Sequence, residues 1–370
     1  MATGESGQRV GRAVRENPLL VVLVVLAVVL AGDIVRKLLG GGLVVNDLVS
    51  LLWNGTILGL SVGLAGVGLA MTYSILRFAN FAHGDLMTSG AFAGWIATFL
   101  VAGFGQFAFD ALAHLGGPFA LNTNDLGVSV TNTPLAIVLG LVVAAVFAAL
   151  LALVLDRIVF KPMRDEGGIA LLIASVGVAL VLRYLIVFTL QAGRRGLTAG
   201  QKTPSIRLTF GGGTFTVNAH EVTLVVLAAG LMLGTHLLLK YTKLGKAMRA
   251  MADNEDLARV TGIPTERVVR ATWLLGGGLT GAAGYLVALE QGTITTTLGW
   301  SLLLLIFAAV ILGGIGSIYG AMLGGLVIGI SSRLSLVWLP ESFILVGAFS
   351  VMIVMLLLRP SGLLGGVTTA

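Results

Sequence analysis

"LVSLLWNGTILGLSVGLAGVGLAMTY", residues 48–73, carries no charged side chain and places glycine at every fourth position through Gly55, Gly59 and Gly63. An uncharged run of this length suits a helix crossing a ~30 Å hydrocarbon layer, whereas a barrel strand would need ~10 residues in strict alternation. Residues four apart share one helix face, and small residues on one face let a second backbone approach closely in lipid. The stretch therefore reads as a membrane helix packed against another helix.

Similar apolar runs recur along the chain. Candidate spans fall at 18–38, 48–73, 86–103, 134–155, 169–190, 222–239, 269–290, 300–315, 318–337 and 341–358. They predict an all-α fold, a polytopic transmembrane helical bundle of about ten spans. Composition agrees, with 56% hydrophobic and 11% charged residues where a soluble domain carries about a quarter charged. The net charge of +6 does not indicate nucleic acid, because the basic residues sit mainly in short loops beside apolar runs, where the positive-inside bias concentrates them. The chain has no cysteine, which excludes disulfides, thiolate metal sites and cysteine nucleophiles. The first apolar run begins at Pro18 after Arg9, Arg12 and Arg15. It is long for a signal peptide and "LAGD" is a poor cleavage site, so an uncleaved anchor is expected.

With the N-terminus in the cytoplasm, the loop at 156–166 with Arg157, Lys161 and Arg164 falls inside, as does the loop at 240–268 that opens with Lys240, Lys243, Lys246 and Arg249. The loop at 104–133 falls outside and contains no Lys or Arg. The outer loop at 191–220 dissents with Arg194, Arg195, Lys202 and Arg207, but longer loops constrain orientation weakly. Two passes across 300–337 return the C-terminal "LRPSG" to the cytoplasm. Glycine keeps a four-residue register again at Gly316, Gly320 and Gly324, and Gly277 and Gly281 form a further pair. All eight glycines are expected to pack helix on helix.

Catalytic motifs fail on inspection. "GLSVG", residues 59–63, matches the nucleophile pattern around Ser61, but that elbow needs a strand-to-helix turn and here it lies mid-helix. A rhomboid-type protease would want glycine two residues before Ser317, where Ile315 stands, and a later histidine, whereas none follows His236. "LGKAM" at 244–248 has Ala247 where a phosphate-binding loop needs a hydroxyl for Mg²⁺. Any ATP hydrolysis must come from a partner. Of the ionisable residues in apolar runs, Asp33, Arg36 and Lys37 lie near the end of the first span, Arg183 within the fifth, Glu290 at the end of the seventh and Arg333 towards the end of the ninth. Proton pumps and ion-coupled carriers bury more carboxylates than this. An ion-coupled secondary carrier for a small polar solute remains the alternative.

"NFAHGD", residues 80–85, raises the prospect of a relay or a metal site through His83 and Asp85. The topology places it at the cytoplasmic end between the second and third spans, so it reads as a helix junction. Asp85 is expected to cap a helix starting at Leu86, Gly84 to permit the turn, and Asn80 or His83 to bond exposed carbonyls. No metal is expected, since His114, His220 and His236 are spread over other loops and spans.

The soluble-facing segment "KYTKLGKAMRAMADNEDLARVTGIPTERVVR", residues 240–270, predicts a short basic helix over Leu244–Met251. A second helix is expected with Asp253 as N-cap, Glu255 and Asp256 in its first turn, and Gly262 with Pro264 as its stop. Leu257 and Val260 share a face. The pair exceeds what a connection needs and looks like a docking surface; a helix lying on lipid headgroups is the other reading.

This segment, followed by "GGGLTGAAGYL", "AAVILGGIGSIYGAMLGGLVIG" and the terminal "LRPSGLLG", resembles the permease subunits of branched-chain amino-acid ABC importers, specifically the H-type subunit. "MTYSILRFANFAHGDL" and "DRIVFKPMRDEGGIALLIASVGVALVLRYL" fit the same family in the same order, so that the similarity covers roughly residues 47–365. The resemblance implies a permease domain over 46–365, preceded by an additional anchor segment over 1–45. It implies an importer for branched-chain or related small amino acids or amides in a prokaryotic cell membrane, with both termini cytoplasmic. It also implies a second related permease, two cytoplasmic ATPases that bind ATP and Mg, and an external solute-binding protein. The loop at 240–268 would then couple to the ATPases, with Gly245, Met248, Arg249, Asp253, Leu257, Ala258 and Gly262 as contacts. A substrate path near "QGTITTTLGW" would involve Glu290, Thr293 and Thr295.

Overall fold

A computed structural model describes residues 18–104, 127–198 and 203–365 of the chain. The basic N-terminal residues Arg9, Arg12 and Arg15, and His114 with most of its loop, lie outside the described residues. The helices are α1 (Pro18–Leu39), α2 (Val45–Leu76), α3 (Ala82–Ala102), α4 (Pro134–Leu155), α5 (Gly168–Leu190) and α6 (Ala219–Tyr241). Then follow the short α7 (Lys243–Asp253) and α8 (Glu255–Val260), and α9 (Thr265–Gln291), α10 (Leu298–Gly313), α11 (Ile318–Leu334) and α12 (Ile344–Leu358). Among the described residues eight helices are long and apolar enough to cross a membrane. The shorter apolar α10 and the N-terminal α1 occupy the two remaining expected spans. The all-α bundle expected from the apolar runs is thus observed.

Local chemistry explains several boundaries. Asn218 caps α6 in a reciprocal box, its side chain accepting from the Glu221 amide while the Glu221 carboxylate accepts from the Asn218 amide, which satisfies two otherwise free donors. Pro134 opens α4, where its missing N–H costs nothing. Ser317 caps α11, and the turn before it uses Gly314 and Gly316 at φ +106° and +85°, a region that favours glycine. Residues 300–337 are therefore two helices, as expected. Gly316, expected on a packing ladder, instead serves this turn.

The ends of the bundle differ. At one, the helix pole, α2 ends and α7 and α8 lie between α6 and α9; Arg77, with φ 56°, donates from its guanidinium to the Ala252 carbonyl there. The other, the strand pole, carries small antiparallel sheets absent from the sequence expectation. Strand β1 (Arg194–Gly196) pairs with β4 (Thr293–Thr295), and β2 (Ser205–Phe210) pairs with β3 (Gly213–Asn218). So residues 205–218 of the expected outer loop form a hairpin. At this pole α1 meets the segment after α11, where the Trp338 indole donates to Asp33 at 2.9 Å and the Lys37 ammonium to the Val337 carbonyl at 3.0 Å.

Helices α3 and α10 do not run from face to face. The Phe81 amide donates to Ser175 Oγ, seven residues beyond Gly168 and hence about 10 Å along α5 at 1.5 Å per residue. Helix α3 therefore starts inside the bundle, reached by the non-helical residues 77–81. Helix α10 starts after β4, with Gly299 against Gly84 of α3. It ends at the helix pole, where the Leu363 and Leu364 amides donate to the Leu312 and Gly313 carbonyls at 2.8 and 2.9 Å. Two helix N-termini thus meet within the apolar layer. Irregular backbone at such depth is tolerated where protein surrounds it.

Candidate functional site

The residues of "NFAHGD" lie at that internal meeting point and not at the membrane surface, which corrects their expected position. Asn80, His83 and Asp85 are buried, Asp85 with no exposure. The helix begins at Ala82, so Asp85 does not cap it. Instead Asp85 accepts two hydrogen bonds from the Arg183 guanidinium at 3.0 and 2.8 Å. Arg183 lies fifteen residues beyond Gly168, about 22 Å along α5, so the pair sits deep in the apolar layer. A charge there is costly unless it is paired, and a bidentate carboxylate is the matching partner. Arg183 also stacks on Trp300, its guanidinium carbon 4.4 Å from the ring centroid.

His83 Nε2 donates to the Ala65 carbonyl at 2.9 Å and lies 3.2 Å from Thr280 Oγ1. It ties α3 to α2 and α9. Asn80 Oδ1 accepts from the Ala82 amide at 3.0 Å, covering one free donor of the helix start. Gly84 is helical, not a turn residue; a Cβ there would stand 2.9 Å from the Gly299 carbonyl oxygen. On the other side of the contact, a Cβ on Gly299 would stand 1.9 Å from the Gly84 oxygen. Sequence reasoning missed Gly299, Trp300 and the Asp85–Arg183 pairing.

The glycine ladders do bring backbones together. A Cβ on Gly55 or Gly59 would lie 2.8 Å from the Cα of Ile330 or Leu326 on α11, and one on Gly63 would lie 3.3 Å from the Met322 oxygen. The α11 side of this contact is formed by Gly325 and Gly329, which the sequence reading did not single out. Gly320 and Gly324 face the Gly313 and Ala309 oxygens of α10, and Gly277 and Gly281 face Ala148 and Ala144 of α4. Ser61, inside the first ladder, donates to the Ile57 carbonyl of its own uninterrupted helix at 2.8 Å; no nucleophile elbow is present.

At the helix pole the two loop helices form as expected, with one correction. The N-cap of α8 is Asn254, which accepts from the Leu257 amide at 2.9 Å, while Asp253 ends α7. Gly262, at φ +85°, follows the end of α8. Of the expected coupling residues, Gly245, Met248 and Ala258 are buried in the chain itself, while Asp253, Leu257 and Gly262 are exposed and Arg249 is half-buried. Leu257 and Val260 are 61% and 85% exposed, an apolar face with no cover. A charged cleft of about 480 Å³ lies between these helices and the end of α4. Across it Glu266 accepts from Lys161 at 2.9 Å and from Arg164 at 2.8 Å, and Arg164 also grips Asp156.

At the strand pole Thr293 and Thr295 are part of β4, opposite Gly196 and Arg194, which leaves their side chains half-buried. Glu290, in the last turn of α9, instead faces a small cavity with Arg333.

Tightly packed glycine seams, two helices that start inside the bundle, and an amphipathic helix pair at one pole define a polytopic α-helical membrane protein. Residues 51–358 match the family model for the permease component of branched-chain amino acid transport systems. The chain belongs to this family. It is 30% identical over 319 residues to the high-affinity branched-chain amino acid transport system permease protein LivH of Escherichia coli K12, covering 85% of this chain and 94% of the relative. It is 25% identical to the corresponding protein BraD of Pseudomonas aeruginosa, over 84% and 94% of the two chains. A shorter match, 28% over 122 residues, covers 33% of this chain and 28% of the E. coli permease protein LivM.

Proposed function

We propose that this chain forms half of the membrane path of an ATP-driven importer for branched-chain or related small amino acids or amides. The observation that carries the ATP-driven reading is the α7–α8 pair, whose apolar Leu257–Val260 face is exposed beside Arg249 and Asp253. Its base is fixed to α2 through Arg77 and Ala252. In this reading the helix pole is cytoplasmic and the strand pole external, so that both chain ends lie on the cytoplasmic side of a prokaryotic plasma membrane. Two ATPases, each holding ATP and Mg, receive α7 and α8. Arg249, Asp253, Leu257 and Gly262 touch the ATPase, while Gly245, Met248 and Ala258 seat the helices on the bundle. A second permease completes the path, supported by the partial likeness to LivM, and an external solute-binding protein delivers substrate.

ATP does its work elsewhere in such an assembly. Closure of the ATPases moves α7 and α8, and the movement passes to α2 through Arg77 and to α9 through Glu266, whose ion pairs bind it to the end of α4. Glycine seams suit this transmission, because close backbone packing allows two discrete arrangements more readily than continuous deformation. The alternative, an ion-coupled carrier, draws on the buried Asp85–Arg183 pair. Co-expression with the neighbouring genes, purification, and uptake from proteoliposomes separates the two. ATP-dependent uptake with co-eluting ATPases is expected. Uptake by the isolated chain, driven by a proton or sodium gradient without ATP, would refute the proposal.

A further inference from the structure

The cavity faced by Glu290 lies between α2, α9, α10 and α11 at the strand pole, and its polar wall holds Glu290, Arg333, Asn54, Ser61 and Gln291. Among the described residues the side chains of Glu290 and Arg333 have no hydrogen bond and no ion pair within 4 Å. The Nε of Arg333 is buried and unpartnered. Glu290 lies within Coulomb range of Arg333 and of Glu221. Glu221, however, is already engaged by Trp53 at 2.9 Å and by the cap of α6. A carboxylate and a guanidinium thus face one space without touching. In apolar surroundings such groups either close on each other or hold something between them.

Its apolar wall is formed by Ile57, Leu58, Val287 and Leu302. The cavity measures about 60 Å³. Each enclosed water needs ~10–15 Å³ on this measure and fills ~30 Å³ of liquid, so the space corresponds to roughly four to six waters. That is the bulk of an amino acid with a short side chain.

We infer that the Glu290–Arg333 cavity is a docking subsite for a zwitterionic α-amino acid: Arg333 takes the α-carboxylate, Glu290 the ammonium, and Ile57, Val287 and Leu302 a small aliphatic side chain. The inference rests on the amino-acid import proposed above and gives it a place within this chain. Lying at the strand pole, the subsite is on the external side in that reading. Opposite charges at fixed separation also discriminate, because an analogue lacking either charge leaves one buried group unpaired.

The test is ligand-induced thermal stabilisation of the purified full chain in nanodiscs, with L-leucine, L-leucinamide and N-acetyl-L-leucine at up to tens of millimolar, since selective binding to the folded state raises the melting midpoint. A rise with leucine, and little or none with either analogue, is expected. Glu290→Gln and Arg333→Gln should each weaken the leucine response at least about tenfold in concentration. Leu302→Trp keeps both charges and fills the cavity, so it should abolish the response even if a charge variant misfolds. An equal response to all three compounds, no response in the wild type, or an unchanged response in Leu302→Trp would overturn the subsite and show a water-bridged ion pair only. Import has a separate readout: a leucine response in a chain whose complete assembly shows no ATP-dependent uptake of amino acids or amides would sink the proposed function and leave the subsite standing, whereas ATP-dependent uptake with no leucine response would do the opposite.

Discussion

Asp85 shows what a single residue can hide. Within "NFAHGD" it looks like a helix cap, because acids near a helix start are favourable, yet its partner is Arg183, 98 positions along the chain. The signal was present as a lone arginine inside the fifth span, which must find an acid or water. No local pattern says which acid. Removing one partner of a buried pair strands the other charge, so Asp85→Ala and Arg183→Ala should each cost about 3–5 kcal/mol, read as thermal unfolding of the purified chain. Asp85→Ala combined with Arg183→Leu should recover part of that loss. Equal stability of all three variants and the wild type would show that the pair contributes nothing. His83→Gln should keep assembly and substantial transport, because a glutamine amide can still donate towards the Ala65 carbonyl.

The elements were largely legible and their depth was not. Length and hydropathy placed ten helices, most of them within a few residues of the observed ends, since the apolar layer dictates how many residues each needs. The same measure is blind to where along the membrane normal a helix begins, and it passed over the internal starts of α3 and α10. A four-residue glycine register correctly announced close packing for α2, but for α11 it joined the turn residue Gly316 to Gly320 and Gly324 and overlooked Gly325 and Gly329. What a glycine faces depends on the neighbouring helix. Gly299→Ala should therefore block folding, with its Cβ forced against backbone, whereas Gly177→Ala, with nothing within 4 Å of its Cβ, should be neutral or slightly stabilising through helix propensity. Membrane yield and monodispersity of the two variants would check this, and a well-folded Gly299→Ala chain would contradict the close contact with Gly84.

Across the whole molecule, the two poles divide the work: charged loop helices at one, small sheets and the Glu290–Arg333 cavity at the other, joined by α2 and α9. The amphipathic pair was readable from residues 240–270 because caps and stops are local chemistry. The inward packing of Met248 and Ala258 was not, since it needs the bundle beneath. Leu257→Glu together with Val260→Glu places charge on the exposed face without disturbing the seat. In the reconstituted assembly this variant should lose most ATP-dependent uptake, through loss of ATPase binding or of coupling; unchanged uptake would remove α8 from the interface.

The short connection between residues 363–364 and the end of α10 has a practical corollary. Leu363 and Leu364 close carbonyls that α10 cannot bond within itself, so the tail acts as a clasp. A stop codon after Arg359 should cut expression sharply, whereas an affinity tag fused beyond Gly365 leaves the clasp fastened and is the safer handle for purification.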